Sequence, residues 1–238
     1  MRRVTLVAVL RSGGDFDADH AWTLFNSAWN AGNDHLIDRV ILLTDTIWHG
    51  HISTASIEPL RYDWPGWWSK FEAFGVPGPV LFLDLDSVIT GDLTPLVDRI
   101  CSLDAGELLM LSDFYRRGTP ASGVMGWSGN VSNILRKFVK LAERSRFGRM
   151  GRLEHVSGTF RGDQNLIPVL AAPRFQVRLI EPTQHGVISY KAHVLKKRHP
   201  VEGSSVVCFH GQPRPWGVLP RPDWIVRAWH NPNRQEEA

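Results

Sequence analysis

The sequence predicts an α/β fold: a single domain with a mostly parallel central sheet flanked by helices. Three observations carry that reading. Val4 to Leu10 (VTLVAVL), Arg39 to Leu43 (RVILL) and Val80 to Leu83 (VLFL) are short, continuous apolar runs. Such runs mark strands buried on both faces, as in a parallel sheet covered by helices. Between the first two, Ala21, Leu24, Phe25 and Ala28 recur at helical spacing, so the chain opens on a βαβ unit. The third run continues straight into Asp84-Leu85-Asp86.

The remaining elements follow in order. The first strand breaks at Arg11-Ser12-Gly13-Gly14, and Asp17 or Asp19 caps the helix behind it. Residues 48 to 66 carry Gly50, Pro59, Pro65 and Gly66 and read as irregular. Gly66 to Phe74 reads as a turn into a short helix that Pro77-Gly78-Pro79 ends. Glu107 to Leu111 and Ala121 to Trp127 read as strands. Asn130 or Ser132 starts the clearest helix, with Val131, Ile134, Leu135, Phe138, Val139 and Ala142 on one face. Its other face and the loop beyond, residues 136–152, are rich in Lys and Arg. That is a solvated surface or a peripheral contact with anionic lipid headgroups. Arg161 to Ile167 opens a short helix limited by Pro168 and Pro173, and Ser205 to His210 is a last strand. One domain is expected over residues 1–230, with 231–238 a frayed tail.

The chain has 238 residues, enough for one well-buried core. Its formal net charge of +3 demands no nucleic acid, and an isoelectric point near 9.1 favours an anionic ligand. Ten tryptophans is a high count, read either as some lining a groove for a flat ligand or as core packing. Cys101 and Cys208 are the only cysteines, which fits a reduced, cytoplasmic setting, soluble or peripheral to the inner face of a membrane. Val4 to Leu10 is too short for a signal peptide, and no run of eighteen apolar residues occurs.

In a strand, Asp84 and Asp86 would emerge on one side at the carboxyl end, where open α/β sheets bind ligands. Two adjacent carboxylates repel, and a hard divalent cation with oxygen ligands resolves the conflict while holding a phosphate-bearing substrate. Two enzyme classes use this arrangement. In haloacid-dehalogenase-type phosphatases, Asp84 would attack phosphorus and Asp86 act as acid and base. Yet a βαβ unit precedes the pair here, and no Asp-Asp pair follows it. A carbohydrate-binding module without catalysis is the third reading.

The second class fits more of the chain. Leu83-Asp84-x-Asp86-x-Val88-Ile89-x-x-Asp92-Leu93-x-x-Leu96 resembles the GT-A glycosyltransferases of the family-eight type, which includes glycogenin-like and lipopolysaccharide galactosyltransferases. Trp68-Ser69-Lys70-Phe71, Gly162-Asp163-Gln164-Asn165 and Cys208-Phe209-His210-Gly211-Gln212-Pro213-Arg214-Pro215-Trp216 resemble three further motifs of that group, in the same order. The resemblance spans Val4 to Trp216.

What it implies is a transferase moving a sugar from a nucleotide-diphosphate donor, with uridine the expected base and guanosine open. Asp84 and Asp86 would hold Mn²⁺ or Mg²⁺. The turn of Leu10, Arg11, Ser12 and Gly13, together with Asp45, would cradle the nucleotide. Lys70 would sit beside the acidic pair or the phosphates. Asp163 would bond sugar hydroxyls and Gln164 lie beneath the anomeric carbon, with retention of configuration. At the third metal position the family histidine aligns with Cys208. His210, two residues on and on the same strand face, is the preferred ligand because thiolate suits these cations poorly. Gly211 aligns with the motif's glycine, Arg214 replaces a lysine and would fork onto a phosphate, and Trp216 would pack on the donor or the closing loop. The acceptor, whether glycan, lipid or protein, is left open. Asp113 to Trp127, with Tyr115, Arg116, Arg117, Ser122, Gly123 and Trp127, is the segment suited to stack it.

Overall fold

A computed structural model of the chain describes residues 2–46, 55–148, 152–155 and 158–229. β1 (Val4–Leu10) and β2 (Ile37–Thr44) pair in parallel around α1 (Ala18–Asn30), as the opening βαβ unit requires. Asp17, rather than Asp19, caps α1. Its carboxylate accepts from the His20 N–H, and its own N–H donates to the His20 ring, a reciprocal capping box. β3 (Ala55–Pro59) joins β2 in parallel at the sheet edge, within the stretch expected to be irregular. It carries no apolar run, and Pro59 is tolerated because the edge leaves one row of backbone groups unpaired.

A 3₁₀ helix (Gly66–Gly75) leads into β4 (Val80–Leu83), followed by β5 (Ser87–Ile89) and α2 (Thr94–Cys101). Next come β6 (Glu107–Ser112), β7 (Pro120–Trp127) and α3 (Ser132–Ala142). The short strands β8 (Arg146–Phe147), β9 (Leu153–His155) and β10 (Gly158–Phe160) precede α4 (Asp163–Ala171) and β11 (Gln176–Ile180). β12 (Val187–Ser189), a π-helical turn (Tyr190–Leu195), β13 (Val206–Cys208) and α5 (Asp223–Trp229) complete the described chain. The expected frayed segment, residues 231–238, lies outside the described residues, as do residues 48–54 of the stretch read as irregular.

The main sheet has seven strands in the order β11-β6-β7-β4-β1-β2-β3. Only β7 runs antiparallel to its neighbours. β4 is therefore central, and alternation along it serves two cores. Leu81 and Leu83 face α1 and α2, while Val80 and Phe82 face the other layer. There Phe71 and Phe138 stack at 3.8 Å, with Trp68, Trp64, Phe74 and Trp127 around them. Trp127 is fully buried and donates to the Val76 carbonyl, so it belongs to the core and not to an acceptor surface. α3 buries Ile134 and Phe138 as its spacing predicts, and Asn130 accepts from the Ser132 N–H at its start.

Of the basic residues in 136–152, Lys137 donates to the Leu170 and Ala172 carbonyls and Arg146 pairs with Glu154. Part of that face is thus tied up in the fold itself. Arg149 lies outside the described residues. Among the described residues, no helix is long and apolar enough to cross a membrane.

β12, β13 and β5 form a small second sheet over a third core cluster. At its end the π-helical turn brings His193 back to accept from the buried Ser189 N–H at 2.9 Å. Burial, together with Lys197, His199 and Arg117, holds the His193 pKa below the ordinary histidine value. A proton on Nδ1 would turn that acceptor into a donor facing another donor. The stabilisation is complete above the unfolded-state pKa of about 6.5 and is lost as pH falls towards the lower folded-state value. We expect thermal stability to decline below about pH 6.5. His193→Asn, whose amide oxygen can replace Nδ1 without titrating, should flatten part of that decline in melts recorded across the range. An unchanged slope would show that the bond is not pH-linked.

Candidate active site

Asp84 follows the last residue of β4, and Asp86 precedes the first of β5. The pair therefore sits in a turn, closed by Ser87 N–H to Asp84 C=O at 3.0 Å, instead of within one strand as predicted. The Asp84 N–H is held by the Gly123 carbonyl of β7, also at 3.0 Å. The consequence is nonetheless the expected one, since both carboxylates face the cavity at the carboxyl end of the central strand.

Lys70 enters from the 3₁₀ helix and is only 7% exposed. Its ammonium lies 2.9 Å from Asp84 and 2.8 Å from Asp163. Burial disfavours the charge, but the two carboxylates outweigh it, and the Lys70 pKa is raised. Ser122 completes the cluster, accepting from Lys70 at 3.2 Å and donating to Asp163 at 2.7 Å. Asp163 and Gln164 open α4, as predicted, but Pro168 lies inside that helix instead of limiting it. A proline there has no N–H for the carbonyl four residues back, which leaves the Gln164 carbonyl outside the helix ladder.

Arg214 binds Asp86, reaches Asp15 at 3.2 Å and lies 4.8 Å over the Phe16 ring. Trp216 is set against His20, with centroids 3.8 Å apart, and edge-on to Phe16. The segment from Gly211 to Trp216 is thereby strapped onto the loop between β1 and α1. Gly211 has φ +78°, a left-handed conformation that favours glycine. Burial raises the Asp86 pKa, repulsion from Asp84 adds to it, and Arg214 offsets only part, leaving it pushed up to about 7. Asp84 is shifted upward too, chiefly by burial.

The turn expected to cradle a nucleotide lies at the end of β1 and is tied to Asp45. Ser12 donates to Asp45 through its N–H (2.8 Å) and hydroxyl (2.5 Å), and Arg11 pairs with Asp45 at 3.1 Å and with Asp63. Gly13 takes φ +81° in this turn. Burial opposes charge on Asp45, yet the Ser12 hydrogen bonds and Arg11 outweigh it and hold the pKa low. Arg11, Phe16, Trp67, Lys70, Asp84 and Arg214 line a cavity of about 410 Å³. Leu10, Ser12, Gly13 and Asp45, expected to take part, do not line it.

An adjoining pocket of about 280 Å³ gathers Lys70, Asp84, Asp86, Asp163, Gln164 and His210. His210 bonds Ser189 at 2.6 Å and stacks near Phe114, and burial pulls its pKa down to about 4. Cys208 lines the same pocket with a thiol pKa raised by burial. Among the described residues, no three His, Cys, Asp or Glu side chains gather into a metal-binding group. The donor set that does fit a hard cation is Asp84 and Asp86, since Mg²⁺-like ions commonly take one or two carboxylates and complete their shell with water and phosphate oxygens.

Sequence reasoning missed Asp15, Phe16, Asp63 and Trp67. The first three act through partners 199, 198 and 52 residues away, Arg214 and Arg11, which no local pattern reveals. Trp67 lines both cavities and is 45% exposed, which separates it from buried Trp68 beside it. The surplus of tryptophans was its only signal.

No protein-family model matches the chain, and no curated protein matches it by sequence. Solved structures do. Glycosyltransferase GlyE from Streptococcus pneumoniae TIGR4, in its apo form, superposes with TM-score 0.65 at 19% identity, over 97% of this chain and 61% of that one. The chain thus spans less than two thirds of GlyE. An active-site mutant of LgtC gives 0.60 at 14% identity, covering 94% and 95% of the two chains. A glycosyltransferase involved in glycosylation of the major capsid of PBCV-1 gives 0.53 at 12%, covering 94% and 98%. The chain has the GT-A-type fold of these glycosyltransferases.

Proposed function

We propose that the chain is a metal-dependent glycosyltransferase that moves a sugar from a nucleoside-diphosphate sugar, with UDP the expected carrier, and retains anomeric configuration. The observation that carries this reading is the cluster at the end of β4. Three carboxylates, Asp84, Asp86 and Asp163, meet only two cations, Lys70 and Arg214, beside a cavity rimmed by Arg11. A site short of positive charge suits a divalent cation, and a cavity with basic walls suits a diphosphate. Bound between Asp84 and Asp86, Mn²⁺ or Mg²⁺ would supply Lewis-acid stabilisation of the departing diphosphate.

The residues of the chain do the rest. The Arg11–Ser12–Asp45 turn positions the nucleoside. Arg214 forks onto phosphate oxygens, and Lys70 bridges Asp84 and Asp163. Asp163 accepts hydrogen bonds from donor-sugar hydroxyls. Gln164 lies beneath the anomeric carbon, where an amide stabilises developing positive charge without forming a bond to it. Retention then follows if the acceptor attacks the face from which the diphosphate leaves. The phosphatase alternative loses its scaffold, because the fold is of the GT-A type.

A uridine diphosphate sugar with Mn²⁺ at about one hundred times its Kd should raise the melting temperature by roughly 5 °C. Asp84→Asn and Asp86→Asn should stay folded and lose that shift, together with the slow acceptor-free hydrolysis of donor. Persistence of the shift in both variants overturns the assignment. The anomeric configuration of product, read by NMR, checks retention. Lys70→Met should cost about 3 kcal/mol near neutral pH, because it strands two carboxylates. Denaturant titrations of variant and parent measure the loss. Equal stability of variant and parent would show that the ion-paired cluster is energetically idle.

A further inference from the structure

Beyond the donor pockets lies a third cavity of about 700 Å³, lined by Trp67, Arg116, Phe160, Arg161, Asp163 and Gln164 among others. Trp67, Asp163 and Gln164 line the inner pocket as well. The two spaces therefore meet across the residues placed against the transferred sugar. Asp163 is paired with Lys70 at 2.8 Å, so its charge is already met. The charge left in the outer cavity comes from two arginines. Arg116 makes a single 3.5 Å ion pair with Asp113 and is 62% exposed. Arg161 is exposed and has no ion-pair partner among the described residues. The half-exposed Trp67 indole lines the same cavity.

Resting on the donor assignment above, we infer that this outer cavity is the acceptor site and that its acceptor is an acidic saccharide, a sugar bearing a carboxylate or a phosphate. The apolar face of a pyranose packs on an indole ring. Planar guanidinium groups match a carboxylate or phosphate in fork geometry and bind it far better than a neutral hydroxyl. An acid group held by Arg116 and Arg161 would fix the sugar's orientation, with a hydroxyl directed towards Gln164. A neutral glycan would use the indole alone and leave both guanidinium groups unmatched.

Calorimetry tests this with three probes: a disaccharide ending in glucose, its counterpart ending in glucuronic acid, and its counterpart ending in glucose 6-phosphate. Wild-type protein should bind at least one acidic probe about tenfold more tightly than the neutral one, and the two acidic arms tell carboxylate from phosphate. The double variant Arg116→Ala/Arg161→Ala should bring all three within about twofold of each other, and added salt should erode the preference in the wild type. Trp67→Ala should weaken acidic and neutral probes alike. Melting curves confirm folding, which substitution of exposed side chains leaves intact. Equal binding of acidic and neutral probes overturns the inference, as does failure of both acidic probes to bind at millimolar concentration or a preference that survives loss of both arginines. A parallel titration with UDP and Mn²⁺ separates the two readings. UDP binding without acidic preference sinks only the acceptor inference, whereas acidic preference without UDP binding sinks the transferase reading.

Discussion

The site depends on a charge imbalance that the fold creates and does not itself resolve. A buried apolar strand, β4, carries Asp84 and then Asp86 to the mouth of a cavity, and α4 adds Asp163. Carboxylates brought together in partly buried positions repel one another, and a buried charge left uncompensated costs on the order of several kcal/mol. Lys70 neutralises part of that charge, and Arg214 a further part. The upward displacement of Asp86 to about 7 is what remains. The proposed function would fill that deficit with a divalent cation beside a diphosphate, in place of a closed structural ion pair.

The pieces come from distant parts of the chain, and the aromatic core is what brings them into register. Lys70 lies on the same short 3₁₀ helix as Trp68, Phe71 and Phe74, whose rings interlock with Phe138 of α3 and with Trp127 of β7. That packing fixes the position of the helix, and the ammonium follows. Ser122 and Gly123, also on β7, touch the cluster from the opposite side. The tryptophan surplus thus has two explanations at once. Trp68 and Trp127 build the layer beneath the site, and Trp67, one position away from Trp68 and turned outward, becomes part of the cavity wall.

The parts legible in the sequence were those written in local pattern. Continuous apolar runs identified β1, β2 and β4, and the 3.6-residue recurrence identified α1 and α3. The motif spacing around Asp84, Lys70, Asp163 and Arg214 located residues that do meet in space. The illegible parts depend on tertiary context. β3 and β11 are half-exposed edge strands with no continuous apolar signal. The turn that holds Asp84 and Asp86 depends on a hydrogen bond from the Asp84 N–H to the Gly123 carbonyl, so strand alternation predicted the right destination by the wrong local route. Two-residue periodicity likewise put His210 on the face of Cys208, but it could not foresee that Ser189 would take the imidazole.

Arg214 shows how such a site can bind ligand strongly without being rigidly prebuilt. Its guanidinium is divided between Asp86 and Asp15, while its Nε is buried without a hydrogen-bond partner. An unpaired buried donor costs on the order of 1–3 kcal/mol. A phosphate oxygen reaching Nε would recover that free energy at the moment of binding. A cation taking over Asp86 would release a second face of the same group. On the proposed reading the two arrivals would help each other: a cation would free Arg214 for phosphate, and a phosphate would draw Arg214 away from Asp86. Cooperation of this sort is expected wherever one side chain satisfies a charge that a ligand will later satisfy better.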